Sequence, residues 1–239
     1  MSMEKTLTVQ LSTQGEEPWN IDAPVSAKKP FKHAVFGYLV NISDSLIVEP
    51  GLLEEWSWDF EAKKYIFKVR KGLKFHNGRR VHSNDVEFSL QRWYLMQHPS
   101  FEKAYVRNVK GIDVLKPGGK FVSGSVPGIK IMDERTLSIE VSSYNPTFLH
   151  SLIDVPLVPM EELKDDYFTW KTLPVGAGVY RVEKADSVKG IFHLSAMTSG
   201  VIQKIDLLTK NVPGQNVDIS TVRDGAIVGP EEITILTKH

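Results

Sequence analysis

The stretch of sequence that decides the fold is residues 51–92, GLLEEWSWDFEAKKYIFKVRKGLKFHNGRRVHSNDVEFSLQR. Within it, aromatic and apolar residues alternate with other residues in two short runs, 56–60 and 65–69, separated by the turn-like residues 61–64. Alternation with a period of two is typical of strands that bury one face. The stretch therefore predicts a β-hairpin, and we expect its large aromatic side chains to form core: Trp56, Trp58, Tyr65 and Phe67.

A turn signal and then a helix signal follow the hairpin. Asn77-Gly78 favours a tight turn, because both residues tolerate positive φ angles, and we expect His76 to order that turn instead of binding a ligand. Ser83 or Asn84 can cap a helix whose first turn is acidic, as suits the positive end of the helix dipole. The side chains expected to face the core and the hairpin are Val86, Leu90 and Trp93.

Weaker patterns on either side complete the secondary-structure prediction. Residues 6–11 alternate like a strand, residues 12–24 form a polar loop, and apolar residues recur at helical spacing in 31–39. Residues 99–128 are mostly loop. Further strands are predicted at 129–131, 137–141, 176–182, 191–195 and 201–209, and further helices at 145–152 and 160–170. Helices mixed with many hairpins predict a mixed α/β (α+β) fold with a mixed sheet, not a doubly wound parallel one.

Composition excludes several classes of protein. The 239 residues are 41% hydrophobic and 24% charged, which is ordinary for a globular protein. The 29 basic residues balance 29 acidic ones, and there is no basic stripe with interleaved aromatics, which argues against nucleic-acid binding. No apolar run reaches the roughly 18 residues of a membrane helix. Cysteine is absent, which excludes disulfides and thiolate chemistry.

The search for catalytic motifs finds none. The sequence has no phosphate-binding glycine loop, no Gly-x-Ser-x-Gly and no His-Glu-x-x-His. Its seven histidines are scattered, so we expect no metal site. The adjacent acids Glu16-Glu17 and Glu161-Glu162 would serve a hydrolase only if they formed an acid and base pair, and solvated acids are the more common outcome.

Several motifs occur in a fixed order and spacing. Pro50-Gly51-Leu52-Leu53-Glu54-Glu55-Trp56 leads into the hairpin, Tyr65 to Arg70 form its second strand, and Lys71 to Gly78 and Asn84 to Ser89 follow. Together they closely resemble the signature region of the family 5 extracellular solute-binding proteins, which include dipeptide-, oligopeptide- and nickel-binding components of ABC importers. Where the family usually has Phe-His-Asp-Gly, this chain has Phe75-His76-Asn77-Gly78.

The resemblance extends over nearly the whole chain. It includes Thr6 to Leu11, Val35 to Val40, Asp133 to Val141, Val175 to Val182 and Val217 to Ile219. It implies a periplasmic-binding-protein-like fold of type II, represented by a single lobe, because family members continue through a second lobe. We expect residues 1–44 and 165–239 to form a mixed-sheet subdomain and residues 45–164 a subdomain rich in β-hairpins.

The resemblance also indicates where a ligand would bind. In the family the ligand lies between the lobes, touched by the loop after the first strand and by residues near a Gly-Thr-Gly strand, here Val175 to Val182. The implied ligand-binding residues are Gln14, Glu17, Trp19, Asn20, Tyr38 and Tyr180. Trp19 is a large aromatic residue in a polar loop, so it either fills a ligand pocket or pins the loop onto its own lobe.

The function implied by the resemblance is capture of a peptide or similar small solute for import. The implied partner is an ABC transporter permease. The protein itself would act in the periplasm or outside the cell after removal of a leader, without a cofactor and without enzymatic activity. Two lobes would close on the ligand by a hinge motion, so one lobe alone should bind poorly and could self-associate through its exposed cleft face. The alternative is a shortened module that serves as a sensor or protein-interaction domain in the cytoplasm.

Overall fold

The computed structural model describes residues 6–10, 29–43, 45–96, 108–143, 145, 147–186, 188–199, 202–208, 219–220, 222–223 and 226–227. Its helices are α1 (Lys29–Phe36), α2 (Ser83–Leu95) and α3 (Phe148–Ser151). Its strands are β1 (Thr6–Gln10), β2 (Val40–Ile42), β3 (Val48–Pro50), β4 (Leu53–Asp59), β5 (Lys64–Val69), β6 (Ile129–Ile131), β7 (Thr136–Glu140), β8 (Tyr180–Asp186), β9 (Ile191–Ala196), β10 (Lys204–Leu208), β11 (Ile219–Ser220), β12 (Val222–Arg223) and β13 (Ala226–Ile227). Among these residues, no helix is long and apolar enough to cross a membrane.

The larger sheet has five strands in the order β11-β1-β10-β9-β8. Strand β1 runs parallel to both of its neighbours, whereas β9 runs antiparallel to both β10 and β8, so the predicted mixed sheet is confirmed. The register aligns an apolar row across four strands, Leu7, Ile205, Leu194 and Val182. The neighbouring row is polar and consists of Thr8, Asp206, His193 and Lys184. Because side chains alternate along strands, the sheet has one apolar face, which packs with α1 in one core, and one largely polar face.

The smaller sheet contains the predicted hairpin. Its four strands lie in the order β4-β5-β7-β6, and every pair is antiparallel. Trp56 lies opposite Phe67, and Trp58 lies opposite Tyr65. Phe67 and Tyr65 are buried as predicted, whereas the two tryptophans are half-buried and pack against the margin of the core. The Tyr65 ring also stacks on Phe148 at the start of α3, with 5.3 Å between centroids.

Helix α2 contributes to the cores of both sheets. Val86 and Leu90 lie in the core of the four-stranded sheet, as predicted, while Phe88 lies in the core beneath the five-stranded sheet. The side chain of Trp93, the third predicted core residue, lies outside the described part of the chain. Since α2 is buried on two sides, it connects the two halves of the molecule.

The ends of the helices differ from the prediction in small ways. Helix α1 ends at Phe36, before the predicted 39, because Gly37 adopts a φ of 72° and its N–H closes the helix on His33 O at 2.9 Å. Helix α2 begins at Ser83 with His82 in the cap position, so neither Ser83 nor Asn84 is the cap. The acidic first turn has a specific role, since the Asp85 carboxylate accepts the His82 N–H at 2.8 Å.

The helix predicted at 160–170 is wrong. A 3-10 turn covers only Met160–Glu162, after which Leu163 and Trp170 form an isolated antiparallel bridge. The cause is Asp166, whose carboxylate accepts the N–H groups of Phe168 and Thr169 at 2.9 and 2.8 Å. Side-chain bonds of this kind compete with helical hydrogen bonds.

Two other predicted elements are shorter than expected. The helix predicted at 145–152 is confined to Phe148–Ser151, with Thr147 at its cap, and is followed by a 3-10 turn. The strand predicted from residue 176 begins at Tyr180. The boundaries of the two predicted subdomains stay a prediction.

Candidate functional site

The carboxyl ends of three neighbouring parallel strands meet at one edge of the five-stranded sheet. Strand β1 ends there at Gln10, beside Leu208 of β10 and Ser220 of β11. The Gln10 side chain spans the β1–β10 pair, because Nε2–H donates to Leu208 O at 3.2 Å. Open α/β sheets bind ligands in the crevice outside the carboxyl ends of their parallel strands. We therefore treat this edge, called here the carboxyl edge, as the candidate site.

Four of the predicted ligand-binding residues belong to the segment that leaves the carboxyl edge. Gln14, Glu17, Trp19 and Asn20 follow Gln10 within ten residues of sequence. They lie outside the described residues, so their role as ligand contacts stays a prediction. Gln10 itself was not among the predicted residues, although the alternation that identified β1 also places a polar side chain at its end.

Tyr180 lies at the opposite end of the same sheet. It pairs with Ala196, the last residue of β9, next to the first residues of β10 and β1. Three strand spacings and five residues of strand separate it from Gln10, which corresponds to roughly 14 Å across the sheet and roughly 17 Å along it. Tyr180 therefore lies far from Gln10, the last described residue before the loop in which other ligand contacts were predicted.

The Tyr180 side chain is buried in the core. Its exposed fraction is 0%, and burial raises the pKa of its phenol. Within the described part of the structure its hydroxyl has no hydrogen-bond partner. A direct ligand contact from Tyr180 stays a prediction, and it requires that this hydroxyl be uncovered.

Tyr38 lies just after α1 and is half-buried. Its ring packs on His33 with 3.5 Å between centroids, and its carbonyl accepts the Leu52 N–H at 2.7 Å. Tyr38 lies just beyond the end of α1. This end of α1 also packs against the segment that leads into Tyr180.

A junction of three segments holds Gly176 and Gly178 in place; we call it the glycine junction. The backbone of α1 approaches so closely that a Cβ on Gly178 would lie 2.4 Å from Ala34 O, and one on Gly176 would lie 2.1 Å from Val35 O. Gly178 N–H donates to Val35 O at 2.9 Å. Only glycine fits such a close approach of two backbones.

His76 binds the same two glycines. Its backbone N–H donates to Gly176 O at 2.9 Å, its Nε2–H donates to Gly178 O at 2.9 Å, and its Nδ1 accepts the Gly176 N–H at 3.4 Å. Burial lowers the pKa of the imidazole; the hydrogen bond to Gly178 O opposes this in part, and the positive charge of Arg181 lowers the pKa further. His76 was expected to order its own turn, but Asn77 does so by accepting the Arg79 N–H at 3.1 Å, while the His76 ring reaches a segment about one hundred residues away.

The acidic pair Glu161-Glu162, considered above as an acid and base for hydrolysis, is bound by Arg79 and Asn77. The Arg79 guanidinium binds both carboxylate oxygens of Asp85, at 3.0 and 2.7 Å, and also pairs with Glu161. Glu162 accepts the Asn77 side-chain amide at 2.8 Å. Glu161 and Glu162 thus tie the 3-10 turn Met160–Glu162 to the turn at Asn77 and Arg79, while Asp85 ties that turn to the start of α2. Glu16 and Glu17 lie outside the described residues. In the described part of the chain, no three acidic, His or Cys side chains are grouped as metal ligands.

The buried polar face of α2 was missed in the sequence. Glu87 is fully buried, and its Oε1 accepts the Gly124 N–H at 2.8 Å and the Gln91 amide at 2.9 Å. Its Oε2 accepts the Ser123 hydroxyl at 2.6 Å. Arg92, also fully buried, donates to Tyr167 O at 2.6 Å. These groups hold two loops against α2. No local sequence pattern predicts their burial, because their hydrogen-bond partners are distant in sequence.

The fold is that of a type II periplasmic binding protein. The chain superimposes on OppA of Burkholderia pseudomallei with a TM-score of 0.68 at 21% sequence identity, over 88% of this chain and 43% of that one. This similarity establishes the fold and confirms the predicted fold class.

Sequence comparison then gives the family. The family described as "Bacterial extracellular solute-binding proteins, family 5 Middle" matches residues 48–191, more than half of the chain. The chain therefore belongs to the family 5 bacterial extracellular solute-binding proteins, as the resemblance of residues 50–89 indicated. Members of this family are binding proteins, not enzymes, and act in the periplasm or outside the cell.

Two curated relatives show the range of named ligands. Di/tripeptide-binding protein 1 of Pseudomonas aeruginosa is 29% identical over 111 residues, which cover 44% of this chain and 20% of that protein. Heme-binding protein A of Haemophilus influenzae is 28% identical over 151 residues, covering 56% of this chain and 26% of that protein. The matched regions thus span about a quarter or less of these relatives' length.

Proposed function

We propose that this chain provides one ligand-facing lobe for a peptide or similar small solute delivered to an ABC importer. The observation that carries the proposal is the carboxyl edge, where β1, flanked by two parallel strands, ends in Gln10 and leads into the segment with Gln14, Glu17, Trp19 and Asn20. Family membership supports solute binding, and the di/tripeptide-binding relative favours a peptide ligand.

The chemistry of these residues suits a short peptide. Amide side chains such as those of Gln14 and Asn20 both donate and accept hydrogen bonds, as peptide backbone groups require. Glu17 offers a negative charge to a free amino terminus, and Trp19 offers apolar surface for a side chain. We propose that a second lobe completes the cleft, since the matched regions cover a minor part of the relatives.

Calorimetry with di-, tri- and longer peptides tests the proposal. We expect saturable but weak binding by this chain, weakened about tenfold further in Trp19→Ala, because central aromatic residues carry much of a binding energy. Phe60→Ala is the matched control, since Phe60 is a strongly exposed aromatic residue in the β4–β5 turn. Equal losses in both variants would indicate non-specific apolar association and contradict the proposal. Tight binding by this chain alone would contradict the shared cleft.

A further inference from the structure

We propose that His76 is a positioning residue for the segment from Gly176 to Tyr180. It acts as a neutral imidazole with its proton on Nε2 and thereby clamps the glycine junction. Through this clamp, the turn after the hairpin sets the position at which β8 begins relative to α1.

The hydrogen bonds at the junction define the state of the ring. Gly178 O can only accept, so His76 Nε2 carries a proton, and Gly176 N–H can only donate, so Nδ1 carries none. The glycines are bound from two directions, because α1 accepts the Gly178 N–H through Val35 O while His76 binds the Gly178 carbonyl. The segment is thus held between α1 and the ring, and removal of either contact frees one side of it.

Protonation of the ring opposes this arrangement. A proton on Nδ1 would face the Gly176 N–H, so one hydrogen bond is lost and two donors are brought together. His76 as a whole is only 8% exposed, and this burial disfavours a charge on the ring.

The charged groups on the surrounding elements do not offset that cost. Arg181 of β8 repels a second positive charge. Arg79, in the same turn as His76, is paired with Asp85 and Glu161, and Glu162 of the adjacent 3-10 turn binds Asn77. Helix α1, on which the glycines rest, carries the basic residues Lys32 and His33.

The inference deepens the proposed function and rests on it only for its consequence for binding. If the lobe binds a ligand, acid should weaken binding by loosening the segment that carries Tyr180 and rests on the end of α1 before Tyr38. The clamp itself can be tested without any ligand.

Nitrogen-15 NMR of the histidine rings and amide hydrogen exchange provide the ligand-free test. We expect His76 to be neutral with the proton on Nε2 at about pH 7.5, and Gly176 to lose about tenfold in protection as the ring titrates below its ordinary pKa. His76→Gln should retain a donor to Gly178 O without titrating, so its Gly176 protection should stay constant relative to intrinsic exchange. The control His193→Gln alters a ring that pairs with Asp206 on the sheet, and it should keep the wild-type pH dependence at Gly176.

The outcomes separate the clamp from the binding function. An Nδ1–H ring at neutral pH, or Gly176 protection that does not change while His76 titrates, would overturn the proposal.

In calorimetry with a tripeptide, we expect wild-type affinity to fall about fivefold as His76 protonates and His76→Gln affinity to stay level. Equal acid sensitivity in both proteins would overturn the positioning role. Absence of peptide binding at every pH would contradict the proposed function and leave the NMR and exchange results to decide on the clamp.

Discussion

Gly178 and Val35 are joined by a backbone hydrogen bond of 2.9 Å that ties the start of β8 to the end of α1. The bond depends on the missing side chain at Gly178, because a Cβ there would lie 2.4 Å from Ala34 O and 2.8 Å from Gly37 N. The neighbouring atoms belong to backbone and cannot move aside as a flexible side chain would. Close packing of two backbones therefore adds to the shared apolar core in joining the larger sheet to its helix.

We expect Gly178→Ala to lower the free energy of unfolding by about 3 kcal/mol, because the methyl group would force α1 away from the sheet. The measurement is urea denaturation followed by tryptophan fluorescence. Gly72→Ala is the matched control, since no atom lies within 4 Å of a Cβ there and only its φ of 75° is unfavourable, at a cost of about 1 kcal/mol. A loss at Gly178 no larger than the loss at Gly72 would contradict the close approach.

Two replacements of Glu87 separate the effect of its hydrogen bonds on the free energy of unfolding from the effect of its charge. Glu87→Gln should cost about 1 kcal/mol, because the amide oxygen can still accept from Gly124 and the Ser123 hydroxyl can turn to accept from the new amide. Glu87→Leu should cost about 3 kcal/mol, because the buried Gly124 and Gln91 donors lose their acceptor.

Denaturation curves and exchange of the Gly124 amide provide the measurement for Glu87. Gly124 should exchange faster in Glu87→Leu than in Glu87→Gln. The exposed Glu61 of the β4–β5 turn offers the same two substitutions as controls, each with little effect on stability. Similar losses for Gln and Leu at position 87 would show that charge, and not hydrogen bonding, determines the effect.

Arg79 should be difficult to replace even by lysine. Its guanidinium makes a two-bond pair with Asp85, contacts Glu161 and lies 4.8 Å from the Phe75 ring centroid. We expect Arg79→Ala to cost about 2 kcal/mol and Arg79→Lys to recover less than half of that, because an ammonium group cannot form the two parallel bonds.

Thermal denaturation of the Arg79 variants is compared with that of Lys68→Ala. Lys68 forms an exposed pair with Glu55 at 2.8 Å, and loss of such a pair should change the stability little. If Arg79→Lys proved as stable as the wild type, the geometry of the pair would have no energetic role.

The lowered pKa of His76 has a definite consequence for the dependence of stability on pH. Burial holds the folded-state pKa of His76 below the ordinary value of 6.5, so between these two pKa values the unfolded chain binds more protons than the folded chain. The contribution of the neutral His76 ring to stability is therefore complete above about pH 6.5 and is lost as the pH falls from there toward the folded-state pKa. Urea midpoints should accordingly decline in this window for the wild type and less steeply for His76→Gln.

The carboxyl group of Glu54 titrates in a lower window and does not obscure this comparison. The Lys71 N–H, together with Arg135, holds the pKa of Glu54 below 4.5, so its contribution is lost only as the pH falls below that value. Parallel declines of the wild type and His76→Gln between about pH 6.5 and pH 5 would argue against a neutral buried ring.

The sequence predicts the elements whose patterns are local. Alternation identified β1 and the β4–β5 hairpin, because each strand of these has a buried and an exposed face. A helix was predicted at 160–170 because the apolar residues there have helical spacing. The prediction failed because the Asp166 carboxylate accepts the N–H groups of Phe168 and Thr169 and the chain turns at this point. The polar turn Asp165-Asp166 was the available signal.

The candidate site is predictable only in part for the same reason. The resemblance indicated the segment after β1 and the strand at Tyr180, but pairing of β1 with β10 and of β8 with β9 decides which edge each one occupies. His76 and Gly178 are similarly distant in sequence, so neither residue's pattern reveals the other. Interactions over such separations follow from the assembled sheets and not from local spacing.

Chemical-shift mapping with a tripeptide shows which surface of the chain faces the ligand. In the amide spectrum of the nitrogen-15-labelled chain, we expect saturable shifts concentrated at the carboxyl edge, at Gln10, Leu208 and Ser220 and in the segment containing Trp19. Amides of the four-stranded sheet, such as Lys130 and Ser138, should move little. Shifts centred on that sheet, or on its hairpin around Phe60, would contradict the assignment of the ligand-facing surface to the carboxyl edge.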